Sequence, residues 1–151
     1  MPYWRLHYHA VWSCKNRDEL ITSELEPKLY DYILGKGLEL GGIMHAAGGI
    51  ADHFHTTFSL APKYALADFI GKLKGASSHW VTYILKHPEP FDWQRGYGVV
   101  SFGSRHLERA IRYVHNQKDH HRKQTVNNIM EKWSEEEDGV VVAWIDEMKN
   151  K

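Results

Sequence analysis

An α+β fold is predicted by three observations: stretches whose apolar residues alternate with period two, stretches whose apolar residues recur every three to four positions, and the order in which the two kinds follow one another. Along the 151 residues that order is βαββαβ, followed by one additional C-terminal helix. Short connections and right-handed crossovers then favour an antiparallel sheet with two helices on one face, as in ferredoxin-like domains, with the last helix lying beside the sheet.

The first strand is expected over residues 3 to 14, where Leu6, Tyr8, Ala10 and Trp12 alternate with Arg5, His7, His9 and Val11. Ser23 to Leu40 places Leu25, Leu29, Tyr32, Ile33 and Leu40 at helical spacing, with a cap at Thr22 or Ser23 and a stop at Gly41-Gly42. Ile43 to Ala51 and His53 to Leu60 read as two strands joined tightly near Asp52. A second helix runs from about Ala65 to Lys86 on Phe69, Ile70, Leu73, Trp80, Val81 and Ile84, and His87-Pro88-Glu89-Pro90 ends it. Tyr97 to Phe102 is a short β-branched and aromatic strand, and Ser104 caps a helix beginning at Arg105. On a wheel of about 100° per residue, Leu107, Ala110, Ile111 and Val114 form the buried stripe of that helix. Tyr113 falls on its shoulder, beside a face carrying Arg105, Arg109, Arg112, Asn116, Gln117, His120 and His121.

The length suits one compact domain with a sizeable core. The single cysteine, Cys14, excludes an internal disulfide framework and a thiolate zinc cluster; it reads as a small strand residue, and the chain as soluble and cytoplasmic. No run approaches the roughly 20 apolar residues needed to span a bilayer. The net charge is zero but segregated: residues 63 to 123 hold 11 Lys+Arg against 5 Asp+Glu, while residues 124 to 151 hold 3 against 7. Residues 1 to 62 hold 5 against 7. A basic middle segment is therefore expected within a domain of residues 1–123, followed by an acidic tail of residues 124–151 with a solvated linker over Ser134 to Gly139 and an edge strand or dimer arm over Val140 to Trp144. A polyanion would dock on the middle segment.

Two motifs carry chemistry. In His53-Phe54-His55 the strand alternation points both imidazoles one way and Phe54 the other. In Tyr113-Val114-His115-Asn116-Gln117 the helical period puts the phenol and the carboxamide on one face. Each member alone is ordinary: a half-buried surface tyrosine, a helix-forming glutamine, an isolated pair of histidines. Together they have a purpose. A phenol with a pKa near 10 is a poor nucleophile and a phosphodiester repels attack, so a divalent cation held by His53, His55 and Gln117 would polarise the phosphate that Tyr113 attacks.

The stretches Tyr8-His9-Ala10-Val11-Trp12 with Lys15-Asn16-Arg17, Asp52-His53-Phe54-His55, Gly71-Lys72-Leu73-Lys74-Gly75-Ala76-Ser77-Ser78, and Tyr113 to Gln117 followed by His120-His121 resemble the single-strand transposases of the insertion-sequence 200/605 group. These are one-tyrosine members of the HUH (His, bulky hydrophobic, His) nuclease superfamily. The resemblance runs from about residue 3 to about residue 123. It implies that His53 and His55 bind Mg²⁺ or Mn²⁺, that Gln117 completes the metal site, and that Tyr113 forms a 5′-phosphotyrosine link, leaving a free 3′-hydroxyl. It further implies a homodimer, in which the tyrosine helix of one subunit can complete the site of the other, and single-stranded DNA marked by hairpins as substrate.

Lys72, Lys74, Arg95 and the arginines of the last helix (Arg105, Arg109 and Arg112) are the candidate DNA contacts, with Tyr97 available for stacking. Trp80 reads as core rather than as a stacking platform, and the pattern decides neither His79 nor Trp93. Thr56-Thr57 stand where the resembling group continues with aliphatic residues, and the acidic tail matches none of its motifs. By ligand preference alone two imidazoles and an amide suit Mn²⁺, Co²⁺ or Zn²⁺ better than Mg²⁺. Two other readings are a domesticated relative acting on repetitive extragenic palindromes and a hairpin-binding module without catalysis.

Overall fold

The computed structural model describes residues 2–128 and 130–132; the expected linker at 134–139 and the segment at 140–144 lie outside the described residues. Four strands, β1 (His7–Ser13), β2 (Ile43–Ile50), β3 (His53–Ser59) and β4 (Gly98–Phe102), form one sheet in the order β2-β3-β1-β4. All three pairings are antiparallel. With helices α1 (Leu25–Glu39) and α2 (Leu66–His79) as crossovers, this is the ferredoxin-like arrangement the element order predicts. Two further helices follow, α3 (Leu107–His115) and α4 (Gln117–Lys123).

The helix expected from Arg105 begins instead at Leu107, after a 3-10 turn over Ser104–His106, and Ser104 does not cap it because its hydroxyl meets His7 Nε2 (2.8 Å). Three other boundaries differ from expectation, each for a local reason. β1 starts at His7, not residue 3, because both partners run out there: His7 pairs with Ser59 at the end of β3 and with Phe102 at the end of β4. α2 ends in a wider π turn over Trp80–Ile84, in which the Leu85 N–H reaches back to the Trp80 carbonyl (2.8 Å), before Lys86 turns left-handed (φ 57°) ahead of Pro88. The last helix divides at Asn116 (φ −100°, ψ 22°), although the Asn116 N–H still bonds the Arg112 carbonyl (3.0 Å) and its own carbonyl receives the His120 N–H (2.9 Å). The chain bends there without losing a turn.

Strand alternation sorts side chains to two unlike faces. Ala10, Trp12, Phe54 and Phe58 point toward α1 and α2, where Leu25, Leu29, Ile33, Phe69, Ile70 and Leu73 complete the apolar core. Thr56 lies on that side too, fully buried, and its hydroxyl donates to the Ala46 carbonyl (2.8 Å), so a threonine is accommodated where an aliphatic residue was expected. The opposite face carries His7, His9, His53, His55, Thr57 and Ser59, all buried. α3 covers that face so closely that a methyl group at Gly48 of β2 would collide with the Val114 carbonyl. Glycine at 48 therefore lets the tyrosine-bearing helix seat on the sheet.

Candidate active site

His53 and His55 enter the site from one side of β3, as the period of two requires, and both are buried (3 % and 0 % exposed). Each has its outer nitrogen engaged. His53 Nδ1 bonds Asp52 Oδ1 (2.7 Å), and His55 Nδ1 faces Nε2 of His9 on β1 (2.8 Å). These partners orient both rings and turn their Nε2 atoms to the same place, where neither makes an aligned hydrogen bond among the described residues. Two buried, convergent nitrogens with no satisfied hydrogen bond, backed by a carboxylate and an imidazole, suit a divalent cation.

Tyr113 comes down from α3 beside them, its ring centroid 6.1 Å from that of His55 and 6.4 Å from that of His9, all within one chain. It is buried, not on the shoulder of the core, because Asn127 and Glu131 return over it. Its hydroxyl accepts the Asn127 N–H (2.8 Å) and donates to Glu131 Oε1 (2.8 Å), while His120 stacks on its ring at 4.7 Å. Burial raises the phenol to about 12; the Asn127 N–H works against that rise and the Glu131 carboxylate adds to it. Deprotonation therefore needs a positive charge nearby.

Glu131 gathers the group. Its Oε2 lies 3.0 Å from His55 Nε2 and 3.4 Å from His53 Nε2, and its Oε1 lies 3.3 Å from His121 Nε2. One ligating atom from each of His53, His55, His121 and Glu131 falls within 4.8 Å of every other. Burial disfavours the charged form of His53, yet between the Asp52 and Glu131 carboxylates it is lifted to about 9. His9, desolvated and beside His55, is held down to about 3, and His55 is also lowered. Burial alone would raise the carboxyl of Glu131, but the two imidazoles keep it well below the usual range.

Gln117 is buried at the start of α4, its Nε2 directed at the Tyr113 carbonyl (3.5 Å) and its Oε1 3.1 Å from His121 Nε2. It thus borders the cluster through His121. Glu131 escaped the sequence reading because it looks like one more acidic residue of an acidic tail. His121 was closer to view: Tyr113, Gln117 and His121 form one i, i+4 row.

The candidate DNA contacts divide. Lys72, Arg95, Arg105, Arg109 and Arg112 are exposed, with Lys72 paired to Asp68 (3.1 Å) and Arg112 near Glu108 (4.0 Å). Lys74 is instead bound to its own fold, donating to the carbonyls of Gln94 (2.8 Å) and Gly96 (2.6 Å), and burial lowers its ammonium to about 8. Trp80 packs on the core and stacks against Tyr32 at 4.5 Å. Trp93 is buried, its indole N–H donating to Ser77 Oγ (2.8 Å). Cys14 is buried and raised to about 12 by desolvation, which excludes it as a ready nucleophile.

The ferredoxin-like sheet, with a histidine pair on its polar face and the α3 tyrosine packed against it, accompanies a match to the transposases, a DNA-cleaving class. Within it the chain belongs to the family described as Transposase IS200 like, whose profile matches residues 2–117. It is similar to the ISDra2 transposase TnpA of Deinococcus radiodurans, 25 % identical over 121 residues covering 77 % of this chain and 86 % of that one. Among solved structures it resembles a crystal structure of a protein from Deinococcus radiodurans R1 assigned as a transposase (TM-score 0.60, 25 % identity, 77 % of this chain and 93 % of that one). It shares its fold with a REP-associated tyrosine transposase bound to a REP hairpin (TM-score 0.56, 12 % identity, 83 % and 74 % covered). No helix among the described residues is long and apolar enough to cross a membrane.

Proposed function

We propose that this transposase cleaves and rejoins single-stranded DNA at hairpin-marked element ends through a 5′-phosphotyrosine intermediate on Tyr113. The observation that carries this reading is the convergence on one carboxylate of the Tyr113 hydroxyl (2.8 Å) and the inward nitrogen of His55 (3.0 Å). Strand transfer requires a nucleophile next to its cation site, and this proximity supports the reading.

His53 and His55 would hold Mg²⁺ or Mn²⁺, with the Gln117 carboxamide as the third donor implied by the resemblance. When bound, the cation stabilises the charge that develops on the scissile phosphate. His53 and His55 are kept in place by Asp52 and His9, and Tyr113 is aimed by Asn127 and Glu131. As the Tyr113 Oη–P bond forms, the P–O3′ bond breaks, and the proton lost by the phenol is balanced by the one the 3′ oxygen gains. Rejoining reverses the exchange on another strand end, without an external energy source.

Residues 1–123 form the transposase domain in this reading and residues 124–151 its tail. The exposed Lys72, Arg95, Arg105, Arg109 and Arg112 track the DNA backbone, while Lys74 contributes by holding the loop at Gln94 to Gly96. The chain works as a cytoplasmic homodimer. Incubating it with hairpin-bearing single-stranded DNA and Mn²⁺ should yield a covalent protein–DNA adduct, abolished in Tyr113→Phe and absent with fully duplex DNA. A wild-type chain that binds hairpins without ever forming the adduct would make it a binding module instead.

A further inference from the structure

We infer that Glu131 is a working part of this site: Oε2 completes the donor set for the divalent cation while Oε1 positions the Tyr113 hydroxyl. The inference rests on His53 and His55 being ligands. Two donors about 2.1 Å from one ion lie about 3.0 Å apart at right angles and about 3.4 Å apart at the tetrahedral angle. Glu131 Oε2 stands 3.0 Å from His55 Nε2 and 3.4 Å from His53 Nε2, without hydrogen-bond alignment to either. Those separations are the ones that donors sharing an ion adopt. An anionic oxygen also removes the mismatch between a nitrogen-rich site and an oxygen-preferring cation.

The carboxylate is delivered by a built turn. Asn127 binds the tyrosine hydroxyl through its N–H (2.8 Å), and its carbonyl receives the Glu131 N–H (3.1 Å) while its Oδ1 receives the Met130 N–H (3.3 Å). The segment fastened to the nucleophile is therefore the one that presents the carboxylate. His121, 3.3 Å from Oε1 and 3.1 Å from the Gln117 carboxamide, ties this turn to α4. Through Glu131 the tyrosine and the metal are held by opposite oxygens of one group, which sets their separation.

Mn²⁺ titration of the full chain, read by the electron paramagnetic resonance of free Mn²⁺, tests this. Wild type should bind at one site, and Glu131→Gln, which keeps size and removes charge, should raise Kd by about tenfold or more. Glu131→Asp, with its carboxylate one methylene short, should fall between the two, and it carries the test should Glu131→Gln not fold by circular dichroism. Wild-type Kd in the folded variants, with binding lost in His55→Ala, would overturn the role of Glu131 and leave the histidine site standing. Unchanged Kd with faster cleavage would make Glu131 an obstruction and overturn it as well. If wild type binds no Mn²⁺, or His55→Ala binds it normally, the underlying histidine reading fails instead.

Discussion

Two buried histidine clusters lie on the same face of the same sheet, and they differ in what their inner nitrogens meet. At one end His7 spans Ser59 Oγ (2.6 Å) and Ser104 Oγ (2.8 Å), and His45 Nε2 also reaches Ser59 Oγ (2.7 Å). At the other end of β3, His53 and His55 point Nε2 atoms inward with no aligned partner among the described residues. The strand period that puts His53 and His55 on this face puts Ser59 there too. The first cluster is a closed polar network suited to holding strands together; the second is open toward a carboxylate and a phenol. Histidine on a buried face is thus a poor marker of chemistry by itself, and convergence of unsatisfied donor atoms is a better one.

Removing a member of the open cluster should have the largest effect. His55→Ala deletes one inward nitrogen and the partner of His9, so Mn²⁺ binding should be lost. Adduct formation should fall by about a thousandfold or more, since cation stabilisation of the phosphate is worth several kcal/mol. Single-turnover cleavage of hairpin DNA checks this. Retained cleavage would show that the open cluster is no more functional than the closed one.

A smaller effect is expected one layer out. Asp52 accepts from His53 Nδ1 and thereby directs Nε2 inward, and the same bond holds the Asp52 carboxyl below its usual range. Asp52→Ala should weaken Mn²⁺ binding by about 10- to 100-fold, and Asp52→Asn, whose amide oxygen can still accept, should recover part of it. Equal affinity in all three chains would mean that packing alone orients the ring.

The sheet and its crossovers were legible in the sequence because alternation and turn residues act locally: Asp52 at the β2–β3 turn and Pro88 after α2 punctuate the chain wherever tertiary structure places it. The histidine pair was legible for the same reason, since one residue of spacing on a strand decides its face. The sites of Tyr113 and Glu131 depend on contacts distant in sequence. The wheel put Tyr113 on a shoulder because it knows only α3, whereas Asn127 and Glu131 close over the ring. Lys74 looked like a DNA contact by charge, and only the folded loop at Gln94 to Gly96 reveals where its ammonium goes. Charge counts locate a basic segment; they do not say which cations the fold has already engaged.

The closed cluster supplies the smallest effect and the sharpest contrast. Ser59→Ala removes the hydroxyl that serves both His7 and His45, leaving two imidazole nitrogens without that partner on a buried or half-buried face. Leaving polar groups so exposed to an apolar environment costs about 1–3 kcal/mol, and the half-exposed position of His45 should keep the loss toward the lower end. Chemical denaturation should therefore show a lowered midpoint with an unchanged slope, while Mn²⁺ affinity stays at the wild-type value because the damage lies at the far end of β3. A loss of Mn²⁺ affinity matching that of Asp52→Ala would show the two clusters to be one network along the strand, and the distinction between a structural and a functional group of histidines would have to be abandoned.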